Sequence, residues 1–179
     1  MTETIQRRRN ETNAPRYVSV VFDPTRDSWD SIRDDILRIE NEQFGDGAFQ
    51  DDYLGHEFGD PANTAVVLRD EATSRVAGFT YAVPIGLIEW DRVLESRDTA
   101  YICDTALGAA YQGRRLIAPM MAALERELRR RGYQFLERDA AVSNGYAAKI
   151  ERAYGDRIVV QGEPRDSEYG PQVFFRIRL

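Results

Sequence analysis

One stretch of the chain, residues 101–132, constrains the fold more than any other. It reads as a strand, then a short basic turn containing Gly113, then a long amphipathic helix that ends at Gly132. Residues 133–138 have the composition of a further strand. A strand, a helix and a second strand in series form the crossover that joins two parallel strands. We therefore predict a sheet with a parallel pair.

The turn ahead of that helix is a candidate anion site. The first amides of a helix have no intrahelical partner, and the helix dipole adds positive potential at the same end. Gly113 gives the turn conformational freedom, and Arg114 and Arg115 add two cations. These features predict a site for a phosphate or pyrophosphate. A solvent-exposed basic turn without a ligand is the alternative interpretation.

The remaining patterns extend this unit into a larger sheet. Helices are predicted over residues 29–44, 50–58, 117–131 and 143–154, and strands over residues 17–22, 64–69, 76–84, 99–107, 133–138, 158–161 and 173–179. Residues 86–97 show no clear pattern. The order β-α-α-β-β-β-α-β-α-β-β predicts an α/β (α+β) fold. Its mixed sheet would have about seven strands, mostly antiparallel with one parallel pair, and helices on both faces.

Composition limits the class of protein. The 179 residues suit one domain over residues 15–179, after a polar, disordered arm over residues 1–14. A net charge of −6 argues against a nucleic-acid partner. Apolar runs too short to span a membrane, the lack of a signal peptide and a single cysteine predict a cytoplasmic protein. With one histidine and one cysteine, we expect no metal site.

The element order, with Gln112 and Gly113 ahead of the third long helix, resembles the GNAT superfamily of N-acetyltransferases. The resemblance covers nearly the whole chain after the arm. It is carried by residues 107–121, 131–133, 144, 147 and 154–155. It implies acetyl-CoA as co-substrate, a small-molecule or peptide amine as acceptor, and direct acetyl transfer in a ternary complex. A catalytically silent relative that binds acyl-CoA or a protein partner as a sensor is the alternative.

The resemblance also implies a set of cofactor-binding residues. They are Ala106, Leu107, Gln112, Gly113, Arg114, Arg115, Leu116, Ile117 and Asn144. An amide near Leu107 would polarise the thioester carbonyl, at a bulge that Gly108 permits, where two strands separate. Arg115 and Ile117 stand where family members carry Gly and Gly or Ala, so anion binding would require a negative φ at Arg115. Asn144 would either contact the pantetheine arm or cap its own helix.

Direct transfer needs a base for the amine and an acid for the departing thiolate. Asp104 is the predicted base, on the strand face shared with Ile102 and Ala106, and an ion pair with Arg138 is its alternative role. The other candidate bases are Glu40, Glu42, Glu137 and Asp139.

The predicted acid lies in the last helix. Many family members carry a tyrosine seven residues after the position of Asn144, and this chain has Glu151 there. Tyr154 follows one turn later on the same helical stripe. Glu151 and Tyr154 are therefore the candidates, with core packing as the alternative role of Tyr154.

The resemblance places the acceptor groove between the first two helices and the final hairpin. Acidic and aromatic residues in those segments suit a primary amine: Glu40, Glu42, Phe44, Asp51, Asp52, Tyr53, Glu163, Asp166, Glu168 and Tyr169. The last strand, residues 173–179, could either close the sheet or pair across a homodimer.

Overall fold

The computed structural model describes residues 16–89, 92–95, 97–167 and 170–179. The predicted arm over residues 1–14 lies outside the described residues. The main elements, numbered along the chain, are β1 Tyr17–Phe22, α1 Arg33–Phe44, α2 Asp51–Gly59, β2 Thr64–Asp70, β3 Val76–Val83, β4 Ile85–Glu89, β5 Arg92–Glu95, β6 Thr99–Leu107, α3 Ile117–Arg130, β7 Phe135–Ala141, α4 Tyr146–Tyr154, β8 Ile158–Gln161 and β9 Gln172–Arg178. Single 3₁₀ turns at Trp29–Ser31, Gly45–Gly47, Ala109–Tyr111 and Gly155–Arg157 join some of them.

Seven of these strands form one sheet in the order β1-β2-β3-β6-β7-β9-β8. β6 and β7 are parallel, and the other neighbouring strands are antiparallel. This confirms the predicted mixed sheet with one parallel pair. β4 and β5, in the segment left without a prediction, pair with each other in a separate hairpin. β9 lies between β7 and β8, so the last strand closes the sheet and has no free edge for a second copy.

The parallel pair is short. Only Thr99, Ala100 and Tyr101 of β6 pair with β7, opposite residues 135–137. Beyond them, β6 pairs with β3 alone and β7 pairs with β9 alone. The two strands therefore part in the middle of the sheet and leave an opening.

Helices cover both faces of the sheet, as predicted. α3 and α4 pack on one face, where Leu124, Leu128 and Ile150 join a buried cluster with Leu136 of β7. α1 and α2 pack on the other face, in a second cluster that includes Phe58. We call these the α3–α4 face and the α1–α2 face.

A β-bulge in β6 changes which face its residues point to. Tyr81 of β3 pairs with Asp104 and Ala82 pairs with Ile102, which leaves Cys103 as an extra residue. The prediction that Asp104 shares a face with Ile102 is therefore wrong, because one inserted residue shifts the alternation of side chains. Asp104 points with Tyr81 to the α1–α2 face. The bulge lies at Cys103, not beside Gly108 as expected.

Two helix starts differ from the predictions. α4 begins at Tyr146 instead of residue 143, because Gly145 adopts a left-handed φ of +71° that interrupts the helical path. α1 begins at Arg33 instead of residue 29, because Trp29–Ser31 forms a separate 3₁₀ turn. The start of α3 at Ile117 agrees with the sequence prediction.

The close approach of β3 and β6 depends on a glycine. A Cβ atom at Gly78 would lie 2.4 Å from Cδ2 of Leu107 and 2.7 Å from the carbonyl oxygen of Ala106.

We expect Gly78→Ala to lower the free energy of unfolding by roughly 1–3 kcal/mol through this overlap. Urea denaturation measures the change. Gly59→Ala is the control, because its Cβ meets no atom within 4 Å; equal destabilisation of both variants would contradict the role of Gly78.

Candidate active site

The parting of β6 and β7 creates a cavity of about 690 Å³. The two strands, the end of α1 and the segment before α4 line it. Its ionisable and polar lining includes Glu40, Asp104, Arg138, Asp139, Asn144 and Tyr146. Three of the candidate bases, Asp104, Asp139 and Glu40, thus line one cavity.

Glu40 and Asp104 form a buried pair of carboxyl groups in this cavity. Glu40 is 0% exposed and Asp104 is 8% exposed. Neither Glu40 oxygen, nor Oδ2 of Asp104, has a hydrogen-bond donor in the described chain, whereas Oδ1 of Asp104 accepts the amide of Thr105. Burial, and then the neighbouring Asp104, raise the pKa of Glu40. Two acceptors facing each other in this way are satisfied when they share one proton.

The pKa of Asp104 is also raised, and burial is the main cause. A hydrogen bond with Glu40, the Thr105 amide and the positive charge of Arg138 act in the opposite direction. The ion pair of Asp104 with Arg138 that the sequence left open is not formed, since the Arg138 guanidinium influences this carboxylate only through space. Asp104 therefore has Glu40 as its immediate partner.

A second carboxylate in the cavity, Asp139, accepts a 2.6 Å hydrogen bond from the hydroxyl of Tyr101. Burial raises the pKa of Asp139 to about 6, while the Tyr101 hydrogen bond and the charges of Arg138 and Arg165 oppose that shift. Asp139 remains a candidate base beside Asp104.

Arg138 and Tyr146 lie together in the cavity. The Arg138 side chain is 4% exposed, and its guanidinium carbon is 4.7 Å from the centre of the Tyr146 ring. Nε and Nη1 of Arg138 and the hydroxyl of Tyr146 have no hydrogen-bond partner within the described residues. Sequence reasoning named Arg138 only as an ion-pair partner and missed Tyr146. Tyr146 lies two residues after Asn144, and this spacing was the sequence signal that could have identified it.

The predicted acids lie elsewhere. Glu151 is exposed and accepts a 2.7 Å hydrogen bond from Gln161 on the outer side of α4. Tyr154 is buried against the guanidinium of Arg157, 5.2 Å from its ring centre, in the groove between α3 and α4. Neither residue lines the cavity between β6 and β7.

Several hydrogen bonds brace the turn between β6 and α3. The amide of Ala109 donates to Glu42 at 2.8 Å, and Glu42 also accepts from Arg38 at 2.8 Å. Gln112 donates to Gln43 at 2.9 Å. Glu42, a candidate base in the sequence, instead anchors this turn to α1.

The residues before α3 leave its N-terminus accessible. Residues 112–115 are exposed, and no side chain caps the helix at Leu116. Arg114 donates a 2.6 Å hydrogen bond to the hydroxyl of Tyr17. Pro119 is the third helical residue, where a missing N–H costs no intrahelical hydrogen bond.

Arg115 departs from the expected backbone conformation. Its φ is +61°, so the arginine takes the left-handed conformation that a glycine would favour at this position. Leu116 follows with φ −81°. Successive residues of opposite hand direct neighbouring N–H groups toward one concavity, which is the geometry of an anion site. The negative φ that anion binding was expected to require at Arg115 is therefore not found, and the alternating hand is the feature of the turn that favours an anion.

The end of β6 presents an amide to the opening. Ala106 and Leu107 pair with Phe79 and Gly78 of β3, and the amide of Gly108 donates to Ala77 of β3. Because alternate residues of a strand direct their amides to opposite sides, the amide of Leu107 faces the open edge of β6.

A groove of about 590 Å³ between α3 and α4 meets the cavity at Tyr146, which lines both. Ile117, the first residue of α3 beside the turn, also lines this groove. Oδ1 of Asn144 accepts the amide of Tyr146 at 2.9 Å, so Asn144 supports the start of α4 while it lines the cavity. A long ligand could pass from the basic turn along this groove to the cavity.

The predicted acceptor groove is only partly assembled. Glu40 and Phe44 line the cavity, together with Phe49, whose ring stacks on Tyr53 at 4.6 Å. The other predicted members lie elsewhere. Asp51 accepts a hydrogen bond from Trp29, and Glu163 lines a separate groove. Asp52 and Asp166 are exposed, and Glu168 and Tyr169 lie outside the described residues.

Neither a metal centre nor a membrane helix is found in the described parts of the chain. They hold no cluster of three His, Cys, Asp or Glu residues suited to a metal ion. Their helices are too short or too polar to cross a bilayer.

Comparison with known proteins agrees with this geometry. No curated protein sequence matches the chain. The fold is similar to that of the ribosomal-protein-S18-alanine N-acetyltransferase from Escherichia coli, with 15% identity, 90% of this chain and 93% of that chain covered, and a TM-score of 0.62. It is also similar to the aminoglycoside 6'-N-acetyltransferase from Enterococcus faecium, with 11% identity, coverage of 89% and 96%, and a TM-score of 0.65.

A third similar structure, yncA from Salmonella typhimurium, is a putative acetyltransferase with its cofactor acetyl-CoA. It shows 13% identity, coverage of 92% and 94%, and a TM-score of 0.64. In sequence, residues 29–150 match the model of the acetyltransferase (GNAT) family. Because that match spans well over half of the 179 residues, this chain belongs to the acetyltransferase (GNAT) family.

Proposed function

We propose that this protein transfers an acetyl group from acetyl-CoA to an amine, by direct attack in a ternary complex. The observation that carries the proposal is the opening between β6 and β7, a cavity that holds buried carboxyl groups and meets, at Tyr146, the groove that Ile117 lines at the uncapped start of α3. Family membership and the acetyl-CoA-bound neighbour support the same reaction.

The cofactor would lie along the path from the turn to the cavity. The amides at the start of α3 would bind the pyrophosphate, and the exposed Arg114 and Arg115 would bind a phosphate oxygen each. The pantetheine arm would follow the α3–α4 groove past Asn144 and enter between the strands. The Leu107 amide on the open edge of β6 would donate to the thioester carbonyl oxygen.

Asp104 is the base in this proposal. Its raised pKa makes it a better proton acceptor than an ordinary carboxylate for an ammonium group of pKa about 10. The deprotonated amine attacks the acetyl carbon, a C–N bond forms and the C–S bond breaks. The sulfur leaves with the electron pair of that bond. The ammonium group gives one proton to Asp104 before the attack, and the nitrogen gives its second proton to water as the amide forms.

The proposed acceptor is a small-molecule or peptide amine. Phe44 and Phe49 give the cavity mouth aromatic surface, and the carboxyl groups inside attract a cation. The names of two neighbours specify a protein alanine and an aminoglycoside, so the shared fold does not by itself select between peptide and small-molecule amines.

Binding of coenzyme A tests the first half of the proposal. We expect coenzyme A to raise the thermal midpoint of the wild-type protein, and Arg114→Ala with Arg115→Ala to weaken its Kd by about tenfold. Calorimetry measures both. Arg26→Ala with Arg33→Ala removes the same charge from the exposed Arg26 and the half-buried Arg33, near the start of α1, and should leave the Kd unchanged. An unaltered Kd in the first double variant would refute the placement of the phosphate site.

Release of the thiol with a panel of amines tests the second half. We expect Asp104→Asn to lower kcat by roughly 100-fold with little change in coenzyme A affinity, because the amine loses its proton acceptor. Asp139→Asn is the matched control from the same cavity. A large loss in the Asp139 variant alone would make Asp139 the base. A protein that binds coenzyme A but acetylates no amine would instead be a sensor.

The shared proton also predicts a pH-dependent stability. The folded protein holds a proton on Glu40 at pH values where the unfolded chain, with its ordinary value of 4.5, has lost it. The stabilising effect is therefore present at low pH and is lost as the pH rises. We expect the free energy of unfolding to fall by roughly 1 kcal/mol per unit between about pH 6 and pH 8.

Glu40→Gln should flatten this slope, since the amide keeps a donor without titrating. Glu42→Gln is the control, because hydrogen bonds from the Ala109 amide and Arg38 lower the pKa of the Glu42 carboxyl. Denaturation curves at several pH values measure the slopes. The same slope in wild type and Glu40→Gln would show that the pair holds no proton.

A further inference from the structure

Arg138 is a buried cation whose charge is not neutralised by an ion pair in the described chain. It is 4% exposed, and its Nε and Nη1 atoms have no hydrogen-bond acceptor there. The ring of Tyr146 covers the guanidinium at 4.7 Å. A desolvated guanidinium without an acceptor is costly, and such a group is usually retained where a ligand supplies the missing negative charge.

The side chain of Arg138 projects to the α3–α4 face. It follows Leu136 and precedes Ala140 by two residues along β7, and both of these pack in the cluster beneath α3 and α4. The ring that covers it belongs to Tyr146, which lines both the cavity and the groove proposed for the cofactor. Arg138 is therefore on the cofactor side of the opening. Glu40 and the aromatic residues lie on the acceptor side.

In the described residues, the two predicted acids do not line the cavity where the sulfur would leave. Glu151 stands where many family members carry the tyrosine that acts as the general acid. It is exposed and hydrogen-bonded to Gln161, and a carboxylate would repel a thiolate. Tyr154 is packed against Arg157 in the groove. Among the cationic side chains of the described residues, Arg138 is the one that lines the cavity.

We propose that the guanidinium of Arg138 stabilises the thiolate of coenzyme A as it leaves, and that Tyr146 holds the guanidinium in place. This inference rests on the function proposed above. When the C–S bond breaks, sulfur keeps both electrons, and its charge is balanced by the guanidinium without a proton transfer in that step. The thiolate takes up a proton after it leaves the site. Arg138 is thus a catalytic residue that acts by charge.

The pKa of the thiol of bound coenzyme A measures this interaction directly. The thiolate has an ultraviolet absorbance that the thiol lacks, so a pH titration of the complex reports its ionisation. The protein has a single thiol, Cys103, and burial raises its pKa to about 12, so it does not interfere. The complex with desulfo-coenzyme A provides the blank for tyrosine ionisation.

For wild type we expect the bound thiol to titrate at least about one pH unit below the ordinary thiol value of about 8.5. Arg138→Gln should restore or exceed the ordinary value and lower kcat about 100-fold, while the Kd for coenzyme A changes less than about threefold. Arg138→Lys should retain part of the shift because it keeps the charge. Tyr146→Phe preserves the ring and should retain most of the shift.

Three outcomes would overturn the inference. The first is a wild-type complex in which the bound thiol titrates at or above the pKa of free coenzyme A; this result needs no variant. An equal thiol pKa in wild type and Arg138→Gln, with a raised KM for the amine, would assign Arg138 to a carboxylate on the acceptor. Loss of activity in Tyr146→Phe with an unchanged Arg138→Gln enzyme would make Tyr146 the proton donor. If coenzyme A fails to bind the wild type at all, the proposed function fails as well.

Discussion

The early separation of β6 from β7 is the constraint on which the site depends. A parallel pair that stays joined for only three residues leaves the backbone of β6 open on one side and the side chains of β7 accessible on the other. Parted strands leave main-chain groups without partners in the middle of a sheet, and such an arrangement is stable when other elements or a ligand satisfy them. Here β3 and β9 hold the two strands on their outer sides.

The opening concentrates charges that do not pair in the ordinary way. Two carboxyl groups face each other on the α1–α2 face, and one guanidinium is buried under an aromatic ring on the α3–α4 face. Each arrangement costs stability in a protein without ligand. Together they give the opening an acidic end, suited to an amine, and a basic end, suited to a leaving anion. In the proposed reaction, the amine would enter at the acidic end and the thiolate would leave at the basic end.

Much of the fold could be predicted from local patterns. The order of helices and strands, the parallel pair and the start of α3 follow from periodicity and from the turn at Gly113. Details that depend on tertiary packing could not. The bulge at Cys103 reversed the face of Asp104, and the pairing of Asp104 with Glu40 joins residues 64 positions apart. The left-handed conformation of Arg115 could not be predicted from the sequence either, since an arginine in place of a glycine suggests a negative φ.

The site residues divide in the same way. The candidate residues in the turn and at the end of β6 could be placed from the sequence because a strand, a turn and a helix fix their positions locally. The groups in the cavity come from four separate elements, and the matching position in α4 pointed to Glu151, which faces outward.

A crystal structure of the protein grown with coenzyme A tests the central claim most directly. Our account predicts the pantetheine arm between β6 and β7, with the Leu107 amide pointing toward the thiol end. Coenzyme A bound elsewhere, with the opening closed or filled by side chains, would contradict it.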